Sequence, residues 1–120
     1  YPTVSIETLP KVDIPTIASQ DLEGMLGTDE DFVLLDIRLN IDVDRYWIES
    51  PRRLQISLNE LSERFAEIPK GKKLVVIDKN GKRSGLAARY LTAKGFEQVI
   101  IVSGGMNQWI KSGMPTRLAE

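Results

Sequence analysis

The sequence predicts an α/β domain whose mainly parallel central sheet, of about five strands, is flanked by helices on both faces. Continuous apolar runs rich in β-branched residues occur within residues 32–38, 74–77 and 98–102. Such runs are typical of strands that are covered on both faces. Segments with helical spacing of apolar residues, such as residues 84–91, separate these runs. Strands that alternate with helices along a chain indicate a parallel sheet joined by helical crossovers.

The segment before the first predicted strand has a different composition. Residues 1–15 contain three prolines and show no periodicity. We predict an extended arm or linker here, with a surface strand on the domain edge as the alternative. The folded domain is assigned to residues 16–120. Because Tyr1 is not a natural start residue, a removed leader and a preceding domain both stay open.

The first half of the domain contains short elements around one buried strand. Residues 16–18 are predicted as a short strand, and Ser19 as the N-cap of a helix over residues 21–26. The buried strand at residues 32–38 ends in charged side chains. Residues 42–47 are predicted as a helical turn with an aromatic face, which ends before Pro51.

The second half continues the alternation of strands and helices. Residues 54–56 are predicted as a short strand. Residues 58–68 carry apolar side chains at helical spacing, which predicts an amphipathic helix ended by Pro69. After the strand at residues 98–102, a terminal helix is predicted over residues 106–111.

Composition excludes several classes of function. The formal net charge of −1 provides no overall field to attract nucleic acid or an anionic membrane. No apolar run approaches the roughly 20 residues that a spanning helix needs. The 120 residues include neither Cys nor His, which excludes disulfides, thiolate nucleophiles, imidazole bases and the usual zinc sites. We therefore predict no cofactor, no metal, and no nucleic-acid or membrane partner, while the cellular compartment stays open.

The candidate site is the connection between a buried strand and the helix after it. Residues 79–82 read Lys-Asn-Gly-Lys, which is typical of a tight turn, and the helix is predicted to begin at Ser84. A loop that closes onto a helix N-terminus directs several backbone N–H groups at one point, which creates an anion-binding concavity. Asp78 lies at the mouth of this predicted concavity.

Two interpretations of Asp78 follow. In the first, its carboxylate is the anion of its own loop, stabilised by backbone N–H groups and by a helix dipole typically contributing ~0.3–1 kcal/mol. A small external anion would then be repelled. In the second, Asp78 accepts a cation or a partner's basic group, or it serves as an aspartyl nucleophile with Asp36 nearby. A calcium loop is excluded, because Arg89 stands where the bidentate acid is required.

Other charged residues flank the same region. Asp36 and Arg38 lie at the C-terminal end of a strand, where ligands bind in α/β proteins, but we predict a structural role, with ion pairing to each other or to a neighbouring loop. Arg83 is either solvated or restrains the loop by pairing with Asp78 or with a carboxylate of a neighbouring loop. Lys79 and Lys82 are predicted to be solvated. The candidate binding residues are therefore Asp36, Arg38, Asp78, Arg83 and Ser84. No catalytic residue is predicted in the loop, which also contains Lys79, Asn80, Gly81 and Lys82.

Several segments together resemble the rhodanese-like domain. The Gly-x-Arg-Ser pattern at residues 81–84 and the Gly-Gly-Met-x-x-Trp pattern at residues 104–109 are specific only in combination. The matching segments are residues 34–38, 75–84, 87–96, 102–109 and 113–115.

The resemblance implies a site whose central residue has been replaced. In family members with sulfurtransferase activity, a Cys at the position of Asp78 accepts sulfane sulfur from a donor such as thiosulfate and holds it as a persulfide. This chain keeps the loop length and keeps Gly81, Arg83 and Ser84, but it lacks the nucleophile. Residues 46–51 also lack the family's Gly-His pair, so Tyr46 and Trp47 are predicted at the rim, as a possible partner surface.

These observations lead to three hypotheses. The first is a non-catalytic binding, regulatory or structural module that acts on a protein partner or an attached domain, without sulfurtransferase turnover. The second is a sulfurtransferase-family protein that has lost its nucleophile. The third is an enzyme that uses Asp78 in a hydrolytic or phosphoryl step.

Overall fold

A computed structural model describes residues 13–119 of the chain. Five strands form one sheet in which every neighbouring pair is parallel, and two further strands form a small antiparallel sheet. The larger sheet has the order β1-β6-β5-β2-β4, and the smaller one pairs β3 with β7. The strands are β1 (Thr16–Ile17), β2 (Phe32–Asp36), β3 (Tyr46–Trp47), β4 (Arg53–Gln55), β5 (Lys73–Ile77), β6 (Val99–Val102) and β7 (Arg117–Leu118).

The two faces of the sheet form two separate cores. Alternation along β2 directs Leu34 to one face and Leu35 to the other, and the register places them beside Val75 and Val76 of β5. Helices α1 (Ser19–Leu26) and α5 (Gly105–Lys111) contribute to the core on the Leu34 face. Helices α3 (Leu61–Arg64) and α4 (Ser84–Ala93) contribute to the core on the Leu35 face. The predicted α/β sheet with helices on both faces is therefore confirmed.

Two helix predictions are wrong in detail. Helix α1 already includes Ser19, and its N-cap is Ala18, whose N–H donates to the Asp21 carboxylate at 2.9 Å. The helix predicted over residues 58–68 is interrupted. Turns of 3₁₀ helix at Leu58–Glu60 and Phe65–Glu67 lie on either side of α3. Glu60 and Arg64 at the junctions have φ of −107° and −116° with ψ close to zero, which tightens the chain there.

The helical turn predicted over residues 42–47 is present but has the wrong bounds. Helix α2 (Asn40–Val43) ends early, and the aromatic pair Tyr46–Trp47 forms β3 instead. Tyr46 lies opposite Leu118, and Trp47 opposite Arg117, in the antiparallel register with β7. An aromatic pair favours a strand once a partner strand is available, and here that partner comes from the far end of the chain.

The described part of the chain begins next to the sheet. Of the predicted arm at residues 1–15, residues 1–12 lie outside the described residues. Ile14 packs against the core on the α4 face, and the Pro15 carbonyl accepts a hydrogen bond from the Ile101 N–H at 2.9 Å. Within residues 13–119, none of the helices has the length and apolar character required to cross a bilayer.

Candidate functional site

The site lies where β5 ends and α4 begins. Asp78 follows the last residue of β5, and Ser84 is the first residue of α4, so residues 78–83 form the connecting segment, here called the Asp78 loop. This loop lies at the carboxyl edge of the parallel sheet, where α/β folds place their ligands. Gly81 adopts φ of +86°, a conformation that favours glycine and allows the loop to reverse tightly.

The Asp78 carboxylate receives three backbone hydrogen bonds. Its Oδ1 accepts from the Gly81 N–H at 2.7 Å. Its Oδ2 accepts from the N–H groups of Arg83 at 2.8 Å and Ser84 at 2.9 Å. The side chain is enclosed, since the residue is only 3% exposed. These three N–H groups, here called the amide cluster, converge on the carboxylate as the structural interpretation of Asp78 predicted.

Helix α5 holds the other side of the Asp78 loop. The Met106 N–H donates to the Asp78 carbonyl, and the Asn107 N–H to the Lys79 carbonyl, both at 2.8 Å. The close approach depends on Gly105, which adopts φ of +58°. A Cβ atom at this position would lie 2.5 Å from both the carbonyl oxygen and Oδ1 of Asp78. Gly105 was not among the predicted site residues, although it belongs to the Gly-Gly-Met motif.

A Gly105→Ala substitution is expected to lower the free energy of unfolding by about 2 kcal/mol or more. The left-handed conformation and the steric overlap with Asp78 both contribute to this loss. Urea unfolding measures it, and Gly113→Ala is the matched control. Gly113 also has positive φ, but an added Cβ there meets no atom within 4 Å. Equal losses in the two variants would show that the contact with Asp78 is not tight.

Asp36 and Arg38 form the predicted ion pair. Both are buried, and the Arg38 guanidinium donates to Oδ1 at 2.9 Å from Nε and to Oδ2 at 2.8 Å from Nη2. Arg53 adds a third contact to Asp36 Oδ2 at 3.2 Å. Arg38 also donates to the Tyr46 carbonyl at 2.8 Å and lies over the Tyr46 ring. The pair thus joins the end of β2 to β3 and has a structural role.

The Asp78 loop and the segment after β2 enclose a cleft of about 280 Å³, here called the loop cleft. Leu39 and Asp42 contribute to its wall, and sequence reasoning missed both. Tyr46 and Trp47, predicted as rim residues, do not line it, because β3 turns away to pair with β7. The full lining is Ile37, Arg38, Leu39, Asp42, Asp78, Lys79, Asn80 and Arg83.

The basic residues of the loop behave differently from one another. The Lys79 ammonium lies 3.6 Å from the Asp42 carboxylate, and the Lys82 side chain is exposed. Within residues 13–119, the Arg83 guanidinium has no ion pair or hydrogen bond. Of the two alternatives for Arg83, the solvated one therefore applies within these residues. The Asp78 carboxylate accepts its hydrogen bonds from backbone N–H groups, and Arg83 contributes to them with its main-chain N–H, not with its guanidinium.

Ser84 and Asn80 stabilise the Asp78 loop through hydrogen bonds to its own atoms. The Ser84 hydroxyl is buried and has no hydrogen-bond partner among the described residues, so this residue contributes through its N–H. The Asn80 side chain accepts from the Lys82 N–H at 3.1 Å, which stabilises the turn.

Other kinds of site place different requirements on the described residues. Within residues 13–119, no group of three or more acidic residues could hold a metal ion. A larger cavity of about 430 Å³ beside Trp109 and Ile48 contains none of the predicted site residues.

Comparison with known proteins decides the family. The model of the rhodanese-like domain family matches residues 18–112. The chain belongs to the rhodanese-like domain family. A sulfurtransferase of Allochromatium vinosum is 33% identical to this rhodanese-like domain over 99 residues, which cover 82% of the chain and 91% of that protein. The resemblance predicted from the two glycine-containing motifs is thus confirmed.

Solved structures agree with the rhodanese-like fold. A rhodanese-related protein from Thermoplasma volcanium superposes with a TM-score of 0.76 at 28% identity, covering 87% of this chain and 98% of that chain. An NAD-dependent persulfide reductase from A. fulgidus gives a TM-score of 0.65 at 36% identity. The alignment covers 80% of this rhodanese-like domain but only 16% of the reductase chain. A similar domain therefore occurs there as a small part of a longer protein.

Proposed function

We propose that this rhodanese-like domain does not transfer sulfur and acts as a binding or structural module for a protein partner or an attached domain. One observation carries the proposal. The amide cluster, which could stabilise a charged sulfur atom, is occupied by the carboxylate of Asp78, with three hydrogen bonds of 2.7 to 2.9 Å. The chain thus supplies its own anion at the position where a substrate anion would be stabilised.

The chemistry of the residue supports the same conclusion. Persulfide formation needs a polarisable thiolate that attacks the donor and then carries the transferred sulfur. The 120 residues contain no Cys, and a carboxylate oxygen cannot hold sulfane sulfur through such a cycle. The relative from A. vinosum is named a sulfurtransferase. A sulfurtransferase-family protein that has lost its nucleophile would also transfer no sulfur, so this second hypothesis agrees with the proposal.

An aspartyl nucleophile has less support. Both carboxylate oxygens of Asp78 accept backbone hydrogen bonds, and the residue is almost fully enclosed. The carboxylate of Asp36, the candidate helper, is bound by the guanidinium groups of Arg38 and Arg53. A nucleophile needs a lone pair that is free to attack, and here both oxygens of Asp78 are held by backbone N–H groups.

The proposal is tested by measuring whether the chain takes up sulfur from a donor. After incubation with thiosulfate, the intact mass of the chain is expected to be unchanged, and added cyanide is expected to yield no thiocyanate. The A. vinosum sulfurtransferase, treated in parallel, serves as the comparison protein. A mass increase equal to one sulfur atom on this chain would refute the proposal.

A further inference from the structure

Most of the charged side chains that line the loop cleft have hydrogen-bond or ion-pair partners among the described residues. Five charged side chains line it, and four of them have partners within residues 13–119. Arg38 is paired with Asp36, and the Lys79 ammonium lies 3.6 Å from the Asp42 carboxylate. The Asp78 carboxylate is bound by the amide cluster. The remaining charge is that of Arg83.

Arg83 is placed to bind a ligand. Its side chain is exposed and lines the cleft, and within residues 13–119 no carboxylate lies within ion-pair distance of it. A guanidinium presents a planar fork of donors that matches a carboxylate with two parallel hydrogen bonds. Among the described residues that line the cleft, Arg83 is the charged side chain whose polar atoms have no partner, and one guanidinium can bind one carboxylate. A doubly charged phosphate would leave excess negative charge close to Asp42 and Asp78.

The wall of the loop cleft also carries an exposed apolar side chain. Leu39 lines the cleft and is 41% exposed, and Ile41, two residues further along, is 65% exposed. An exposed aliphatic side chain in the wall of a cleft gives a protein partner an apolar contact in addition to the ionic one. A small inorganic anion would gain nothing from this wall, whereas a peptide can place an apolar side chain on it.

From these observations we infer that the loop cleft binds an acidic segment of a protein partner. Arg83 holds the carboxylate of an Asp or Glu side chain, and Leu39 contacts an apolar side chain next to it. This inference rests on the proposed function, because it names the partner chemistry for the same site. Since the contact is partly exposed, its affinity falls as ionic strength rises.

A peptide titration followed by NMR tests the inference. The probes are short acetylated and amidated peptides that carry Asp or Glu next to Leu, Ile or Phe, together with the same peptides carrying Gln in place of the acid. The acidic peptides are expected to shift the backbone amide signals of residues 79–84 in a saturable way. The Gln peptides are expected to bind about tenfold more weakly or not at all.

Two loop variants provide the decisive comparison. Arg83→Gln is expected to weaken binding of the acidic peptides about tenfold. Lys82→Gln removes the same charge from the same loop, but Lys82 does not line the cleft. The affinity for the acidic peptides is therefore expected to change less than about twofold in this variant. Leu39→Ser is expected to weaken binding through the apolar contact. Both basic side chains are exposed, so neither substitution is expected to disturb the fold. Unchanged backbone amide signals outside residues 79–84 check that the variants fold.

Four results would overturn the inference. They are no saturable shift with any acidic peptide at millimolar concentration, equal binding of the Gln peptides, equal losses in the two loop variants, and tighter binding of a phosphoserine peptide. The last result would assign the cleft to a phosphate. Because sulfur loading is measured separately by mass, a failure of this inference is distinguishable from a failure of the proposed function.

Discussion

An Asp78→Cys variant is expected to become loaded with sulfur on incubation with thiosulfate, whereas the unsubstituted chain stays unloaded. The substitution removes the internal carboxylate and places a thiol beside the amide cluster. Three backbone N–H groups and the N-terminus of α4 would then favour the thiolate, which lowers the pKa of a Cys at such a position. The expected change is from no measurable transfer to a measurable rate.

The reaction expected of this variant can be written completely. The thiolate attacks the outer sulfur of thiosulfate, the bond between the two sulfur atoms of the donor breaks, and sulfite leaves with the electron pair. Cyanide then takes the outer sulfur of the persulfide as thiocyanate and regenerates the thiolate. Intact mass follows the first step, and thiocyanate formation follows the second.

An Asp78→Ser variant is the matched control for this gain. It also removes the carboxylate but offers only a hydroxyl, so it is expected to remain unloaded. If the Cys variant has a thiol that reacts with a general thiol reagent but takes no sulfur from thiosulfate, the amide cluster alone does not suffice. The altered segment at residues 46–51 would then share responsibility for the lost activity.

The second large effect is expected at the buried ion pair. An Arg38→Met substitution is expected to lower the free energy of unfolding by about 3–5 kcal/mol, because it removes the main partner of the buried Asp36 carboxylate. Arg53 contacts the same carboxylate from a more exposed position and can compensate only in part. Urea unfolding monitored by tryptophan fluorescence measures the loss.

A double variant separates the buried charge from the lost packing. Asp36→Leu combined with Arg38→Met is expected to recover most of the stability, since replacing both members of a buried pair by apolar residues is often neutral. The control is Arg64→Ala, which breaks an exposed pair with Glu67 and is expected to cost much less. A double variant no more stable than Arg38→Met would show that the hydrogen bond to the Tyr46 carbonyl matters more than the charge.

Local sequence was sufficient for the elements whose environment is uniform. The apolar runs of β2, β5 and β6 are covered on both faces, so their composition alone identifies them as central strands. The same holds for the position of Asp78, because a strand, a glycine turn and a helix start leave its carboxylate only the nearby N–H groups. The ion pair of Asp36 and Arg38 was also predicted, since the residues are two apart at one strand end.

Distant contacts decided the rest. Tyr46–Trp47 became a strand because β7 pairs with it, and that partner is invisible in the local pattern. The residues joined in the loop cleft, such as Leu39 and Arg83, come from separate segments, so their shared surface exists only after folding. The sequence by itself determined the family, the sheet and the absence of a sulfur nucleophile, because these depend on residue type and local order. Among the described residues of the loop cleft, the tertiary structure alone decided which charged side chain has no partner, because pairing depends on distances between segments far apart in the chain.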